Sequence, residues 1–194
     1  DLNFIKPDNY KNHPYLHSSK FTILYSGNIG EKQDWDLFLE LVQMLKKESD
    51  IAIVVVGDGS KREWLTQQLV GMHHVSLHAP VPYSELSDLL CSADLHILFQ
   101  KNDVIDTVMP SKILAMMGSQ RPSLISGNSK SEVASIIKAS AGGKYIDTGK
   151  IKDVLEFIQV LKSNKEAGNN LGKNARKYVS LKFSKKEILE DFSE

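Results

Sequence analysis

Phe21-Thr22-Ile23-Leu24-Tyr25-Ser26-Gly27-Asn28-Ile29-Gly30-Glu31-Lys32 is the stretch whose reading decides the fold. Its first half, Phe21 to Ser26, is a short apolar run stopped by glycine, which reads as a buried strand. Its second half carries two glycines three apart, and a helical pattern starts at Trp35. A strand that turns through glycine into an amphipathic helix is the opening of a βαβ unit.

The same alternation continues outward. Further apolar runs lie at Ile51 to Val56, Val75 to His78, Asp94 to Phe99, Ser123 to Ser126 and Lys144 to Ile146. Helical patterns separate them at Trp35 to Lys47, Lys61 to Val70, Tyr83 to Cys91, Ser111 to Met117, Ser131 to Lys138 and Ile151 to Leu161, and two more helices are expected at the carboxyl end. Leu37, Leu41, Met44 and Leu45 recur at helical spacing and are expected to pack on the sheet. The expected fold is α/β: a Rossmann-like, doubly wound parallel sheet of about six strands flanked by helices. Residues 1–20, with Pro7, Pro14, Asn9 and Asn12, have no sustained period and read as an arm or interdomain connection leaving something upstream. Residues 21–194 are then one domain, which suits a chain of 194 residues.

Composition narrows the partners. Lysine plus arginine equals aspartate plus glutamate, 24 against 24, so bulk charge argues for neither nucleic acid nor an anionic membrane. The balance is uneven, because Lys150 to Lys186 holds ten basic residues against three acids. That reads first as a solvated helical face and second as a weak attraction to a phospholipid surface, hence peripheral membrane association. The single cysteine, Cys91, excludes an internal disulfide, suits a reducing compartment and reads as packing rather than nucleophile. No apolar run approaches a membrane span and no signal-peptide pattern opens the chain, so a cytoplasmic setting is expected.

Open parallel sheets bind ligands beyond the carboxyl ends of their strands, so the residues after each run are the candidates. After the first strand, Gly27, Asn28, Ile29 and Gly30 allow close backbone approach, and their amides with Lys32 can face an anion; a plain strand-to-helix turn is the equal alternative. Gly57-Asp58-Gly59-Ser60 reads as turn chemistry ending in a helix N-cap. His78-Ala79-Pro80-Val81-Pro82 is a stiff segment whose backbone can face a base edge, although a lone histidine is more often packed than ligating. After the fourth strand, a polar loop from Lys101 to Met109 leads into Pro110, Ser111 and Lys112, where the amides of a starting helix favour phosphate. Asp103, Asp106 and Thr107 in that loop are candidates for sugar hydroxyls or for plain solvation. Asp34-Trp35-Asp36 resembles the Asp-x-Asp metal motif of some sugar-nucleotide enzymes, but acids in a first helical turn complement the dipole without a metal. His73 and His74 lack companion ligands, and no nucleophile elbow occurs.

Taken in order, these junctions resemble the carboxyl-terminal half of GT-B glycosyltransferases, in the large retaining family that includes bacterial O-antigen and capsule transferases. The resemblance is carried by Asp1-Leu2-Asn3-Phe4-Ile5-Lys6-Pro7, Tyr25 to Lys32, Val55-Val56-Gly57-Asp58-Gly59, Ala93-Asp94-Leu95-His96-Ile97-Leu98, Leu171 to Val179 and Phe183-Ser184. It implies a donor domain that binds a sugar linked to a nucleoside diphosphate, UDP ahead of GDP, while a separate amino-terminal domain holds a glycan or lipid-linked acceptor. It implies no cofactor and no divalent ion. By the resemblance, Lys32 contacts the donor phosphates above the Gly27 to Gly30 loop and stabilises the departing diphosphate. Two positions depart from the family pattern: Asn28 stands where many members have arginine, and Thr107 and Ala115 stand where they have paired glutamates. Lys112, in a Pro-Ser-Lys pattern similar to a subgroup of deoxy-sugar and amino-sugar transferases, is expected to replace the missing arginine's charge. The rival readings are a sugar-nucleotide epimerase on the same cradle, a non-catalytic interaction module, and a generic dinucleotide domain, against which the lack of a Gly-x-Gly-x-x-Gly loop argues.

Overall fold

In the computed structural model, residues 2–17, 19–105 and 111–182 are described. Six strands and seven helices alternate among them: β1 (Phe21–Ser26), α1 (Trp35–Met44), β2 (Ile51–Val56), α2 (Arg62–Gln68), β3 (Val75–His78), α3 (Tyr83–Ser92), β4 (Leu95–Phe99), α4 (Ser111–Gly118), β5 (Ser123–Gly127), α5 (Glu132–Ser140), β6 (Gly143–Asp147), α6 (Ile151–Ser163) and α7 (Lys165–Lys182). The strands form one sheet in the order β3-β2-β1-β4-β5-β6, every pair parallel. The chain therefore winds outward from β1 to one edge, returns, and winds outward again from β4. The reversal between β1 and β4 opens a crevice at their carboxyl ends.

The central strands are apolar along their whole length because both faces are covered. Every residue of β2 and of β4 is buried, the pattern of a parallel strand between two helical layers. One face packs on α1 and α6 through Leu37, Phe38, Leu41, Val154 and Ile158. The other packs on α3 and on the opening segment, through Ile5, Leu16, Leu89 and Leu90. That opening segment is irregular, as its sequence suggests, but it is bonded along α3: the backbone N–H groups of Lys6, Lys11 and His13 donate to Ser87 Oγ, Asp88 Oδ1 and Ser92 Oγ.

Two local expectations are corrected. Met44 is 58% exposed, whereas Leu37, Leu41 and Leu45 are buried. At 100° per residue, the buried Trp35, Phe38 and Val42 draw the centre of the apolar stripe away from Met44. Ser60 is not an N-cap, because α2 begins at Arg62 and its N-cap, Lys61, makes no side-chain capping bond. Of the two helices expected at the carboxyl end, one of 18 residues occupies Lys165 to Lys182, and the place of the other lies outside the described residues. Among the described helices none is long and apolar enough to cross a membrane.

The helix phase can be checked directly. Leu41→Ala should lower the unfolding free energy by about 2–5 kcal/mol in urea denaturation, while Met44→Ala should change it by no more than about 0.5 kcal/mol.

Candidate functional site

The crevice is built from the segments that follow β1 and β4. They are laced together: Asp34 N–H donates to the Phe99 carbonyl at 2.9 Å and Lys101 N–H to the Lys32 carbonyl at 3.0 Å, with a bridge between Gln33 and Gln100. Asp34 caps α1, its Oδ1 accepting from Leu37 N–H at 3.0 Å, so this acid of the Asp-x-Asp pattern serves the helix start.

The glycine loop after β1 is pinned at nearly every polar atom. Gly27 N–H donates to the Val56 carbonyl and Ile29 N–H to that of Asp58, while the Ile29 carbonyl accepts from Lys61 N–H. Gly30 N–H donates to Gln33 Oε1 at 3.1 Å. Its carbonyl accepts from the indole of Trp35 at 2.8 Å, and the Asn28 carbonyl accepts from the phenol of Tyr25 at 2.6 Å. Three of the four loop amides thus have partners inside the chain, and Ile29 is a fully buried core residue. What the loop shows to solvent is Asn28, with Lys32 exposed beyond it.

A cleft of about 260 Å³ lies beside this loop, lined by Ser26, Gly27, Asn28, Val56, Gly57, Asp58, Pro80, Val81 and Leu86. It unites three of the sequence candidates, Gly27, Asn28 and Pro80, and adds the glycine turn after β2. A Cβ at Gly57 would collide with the Gly27 carbonyl, so the missing side chain lets the two loops lie backbone to backbone. Ala79 is exposed. The His78 carbonyl is taken by Gly57 N–H at 3.1 Å and by the Arg62 guanidinium at 3.0 Å. Its ring stacks on Tyr15 of the opening segment, centroids 3.9 Å apart and planes 9° apart. Burial, then the nearby His13 and Arg62, hold the His78 imidazole below its ordinary pKa. His78 is therefore a packed residue outside the cleft's lining, and Pro80 and Val81 form part of the cleft's wall.

Lys112 is the feature that composition alone does not announce. Ser111 is exposed at the start of α4, but the Lys112 amine is buried and has no hydrogen-bond partner among the described residues. It rests 4.0 Å from the centroid of the Tyr25 ring and fills the space beside Gly27, where a Cβ would lie 2.7 Å from it. Gly27 has φ +144°, so a side chain there is excluded both by backbone conformation and by this lysine. Burial pushes the Lys112 amine down to about 7, as desolvation disfavours the charged form. Asp106, Thr107 and Pro110 lie outside the described residues. Ala115, on α4, packs against the core beside α3.

Volume does not single out this crevice. A cavity of about 310 Å³ lies at the opposite end of the sheet, lined in part by Lys20, Asp50, Asp94, Arg121, Lys162 and Lys165. Lys162 there is paired with Glu48 at 2.9 Å and Asp50 at 2.8 Å, and Arg121 donates to the Cys91 carbonyl and to the Tyr10 hydroxyl. Cys91 itself is buried, with its thiol pushed up to about 11, which suits packing. Among the described residues no group of three or more metal-ligating side chains gathers.

With this geometry in hand, residues 8–178 match the family model described as "Glycosyl transferases group 1". The chain belongs to that family. Among curated relatives it is 32% identical over 136 residues to the putative colanic acid biosynthesis glycosyl transferase WcaI of Escherichia coli (strain K12), covering 70% of the chain and 33% of WcaI. Among solved structures it is similar to a mutant form of S. aureus TarM in complex with fondaparinux, alpha-GlcNAc-glycerol and UDP, at TM-score 0.76 and 18% identity over 98% of the chain and 37% of TarM. It is also similar to the C-terminal domain of the group 1 glycosyl transferase LpcC from Francisella tularensis, at TM-score 0.72 and 14% identity over 94% of the chain and 97% of that domain. The structural likenesses establish the fold, that of a GT-B half-molecule. The chain spans about a third of the length of WcaI.

The buried amine has a measurable signature in stability. Between pH 7 and roughly 10.4, the range between its folded and unfolded pKa values, the unfolded chain binds more protons at Lys112 than the folded one. Stability must then rise with pH across this window, and below pH 7 the folded state carries the whole cost of the buried charge. Urea unfolding at pH 7.5 and 9 should show this gain, up to about 1.4 kcal/mol per pH unit, in the native chain and its loss in Lys112→Met.

Proposed function

We propose that this chain is the donor-binding half of a glycosyltransferase. It moves a sugar from a nucleoside diphosphate, UDP ahead of GDP, to a glycan or lipid-linked acceptor in surface-polysaccharide synthesis. The observation that carries this reading is a cleft beside the pinned glycine loop after β1, with a buried lysine amine next to it that has no partner among the described residues. A ligand there gains most if it is an anion that meets Lys112 from one side and Lys32 from the other. Support for the chemistry comes from the group 1 family match, from the colanic acid assignment of WcaI, and from the UDP bound to TarM.

In this reading the nucleotide lies in the cleft, its base toward Pro80 and Val81 and its diphosphate over Gly27 and Asn28. As the sugar departs, negative charge grows on the diphosphate, and Lys32 and Lys112 stabilise it where other transferases use a divalent ion. Transfer proceeds with retention of the anomeric configuration. The acceptor is held by a further domain, and closure of the two domains assembles the site. A lipid-linked acceptor places the reaction at the inner face of the cytoplasmic membrane, with the basic side of α6 and α7 as a surface attraction.

Calorimetric titration of the chain with UDP, GDP, UMP and GMP, each with and without chelator, tests the reading. The expected result is chelator-insensitive binding that favours one diphosphate and weakens about tenfold in Lys32→Ala, the size of one charge-assisted contact. A chain that binds none of the four is not a donor domain.

A further inference from the structure

Lys112 stands apart from every other cation described. Its amine is enclosed by the Tyr25 ring and the Gly27 backbone, and it lacks both a hydrogen-bond acceptor and a counter-ion among the described residues. Among the described residues, the ionisable groups that face it from the neighbouring elements supply no negative charge. Tyr25 on β1 is a phenol that burial holds above its usual pKa. His96 on β4 is fully buried, and burial, followed by Arg121, pushes its imidazole down to about 3, with Lys112 acting in the same direction. α4 carries no other ionisable side chain. A solvent-excluded amine without an acceptor is cheapest as the neutral base, and an anion brought against it reverses that preference.

The position is as telling as the burial. Gly27 lines the cleft, and the amine lies directly behind it in the space a side chain would take. Lys112 as a whole is only partly buried although its amine is enclosed, and its stem of four flexible carbons can rotate to bring the amine to the cleft.

Resting on the donor-domain reading, we propose that Lys112 is the residue that selects a diphosphate over a monophosphate, held against Tyr25 as a neutral amine in the free protein and taking up one proton as the second phosphate enters. A monophosphate nucleotide fills the base side of the cleft and leaves the amine where it is. A diphosphate supplies the missing counter-charge, so binding and protonation become one event. The family arginine that Asn28 displaces would stay charged throughout; a lysine makes the grip on the leaving group dependent on pH.

Two measurements on the 194-residue chain test this. Carbon-13 NMR of the lysine side chains in the ligand-free protein, with Lys112 assigned by its loss in Lys112→Met, should give a midpoint near 7. A midpoint near 10 overturns the inference and leaves the donor-domain reading untouched. Calorimetry with UDP and UMP at pH 8, where a phosphate with a second pKa of about 6 is fully ionised, should be run in buffers of different ionisation enthalpy. UDP should take up close to one proton, UMP almost none, and UDP affinity should fall about tenfold per pH unit above 8. In Lys112→Met the proton uptake should vanish and the preference for UDP over UMP should drop at least about tenfold. UDP binding without proton uptake, or an unchanged preference in Lys112→Met, overturns the inference alone. Failure of the native chain to bind either nucleotide overturns the donor-domain reading and this one with it.

Discussion

The phenol of Tyr25 holds the site together. It sits at the end of a buried parallel strand, where a hydroxyl has to find an acceptor within the protein, and the acceptor is the Asn28 carbonyl at 2.6 Å. The same ring meets Trp35 edge-on with centroids 5.2 Å apart, and the Trp35 indole holds the Gly30 carbonyl at the other end of the loop. The Lys112 amine rests on the ring as well. One aromatic side chain thus fixes both the shape of the glycine loop and the resting place of the cation beside it.

The glycines answer to this arrangement as much as to any ligand. Gly27 has no side chain because Lys112 occupies the space where one would be, and Gly57 has none because the Gly27 carbonyl lies there. The loops after β1 and β2 consequently meet backbone to backbone, and their amides are spent largely on holding one another. A glycine loop after a first strand suggests a cradle of free amides around an anion. Here most of that cradle is internally satisfied, and the attraction for an anion falls to side-chain charge.

Electrostatic compensation separates the two ends of the sheet. At the amino-terminal end, Lys162 pairs with Glu48 and Asp50, and Arg121 is held by neutral acceptors. At the carboxyl end a lysine amine is buried with no partner among the described residues, and charging it there is costly until something supplies its complement. The larger cavity is therefore the quieter one. The unbalanced group lies at the place where the winding of the sheet reverses.

The sequence by itself determined the layers, the parallel sheet and all six strands to within a residue, because strand and helix periods and the turns between them are local properties of the chain. It also marked Asp34 as a residue of the first helical turn, again a local matter. Tertiary structure decided the rest. Met44 turns outward because the apolar stripe is set by all of its members together, and Ile29 belongs to the core although it sits in the middle of a candidate phosphate loop. His78 gives its carbonyl to Arg62 and its ring to Tyr15, partners 16 and 63 residues away. The state of Lys112 was the least legible of all: its burial depends on Tyr25 and Gly27, brought to it from 87 and 85 residues away in the chain, and the charge of an amine is set by what surrounds it in space.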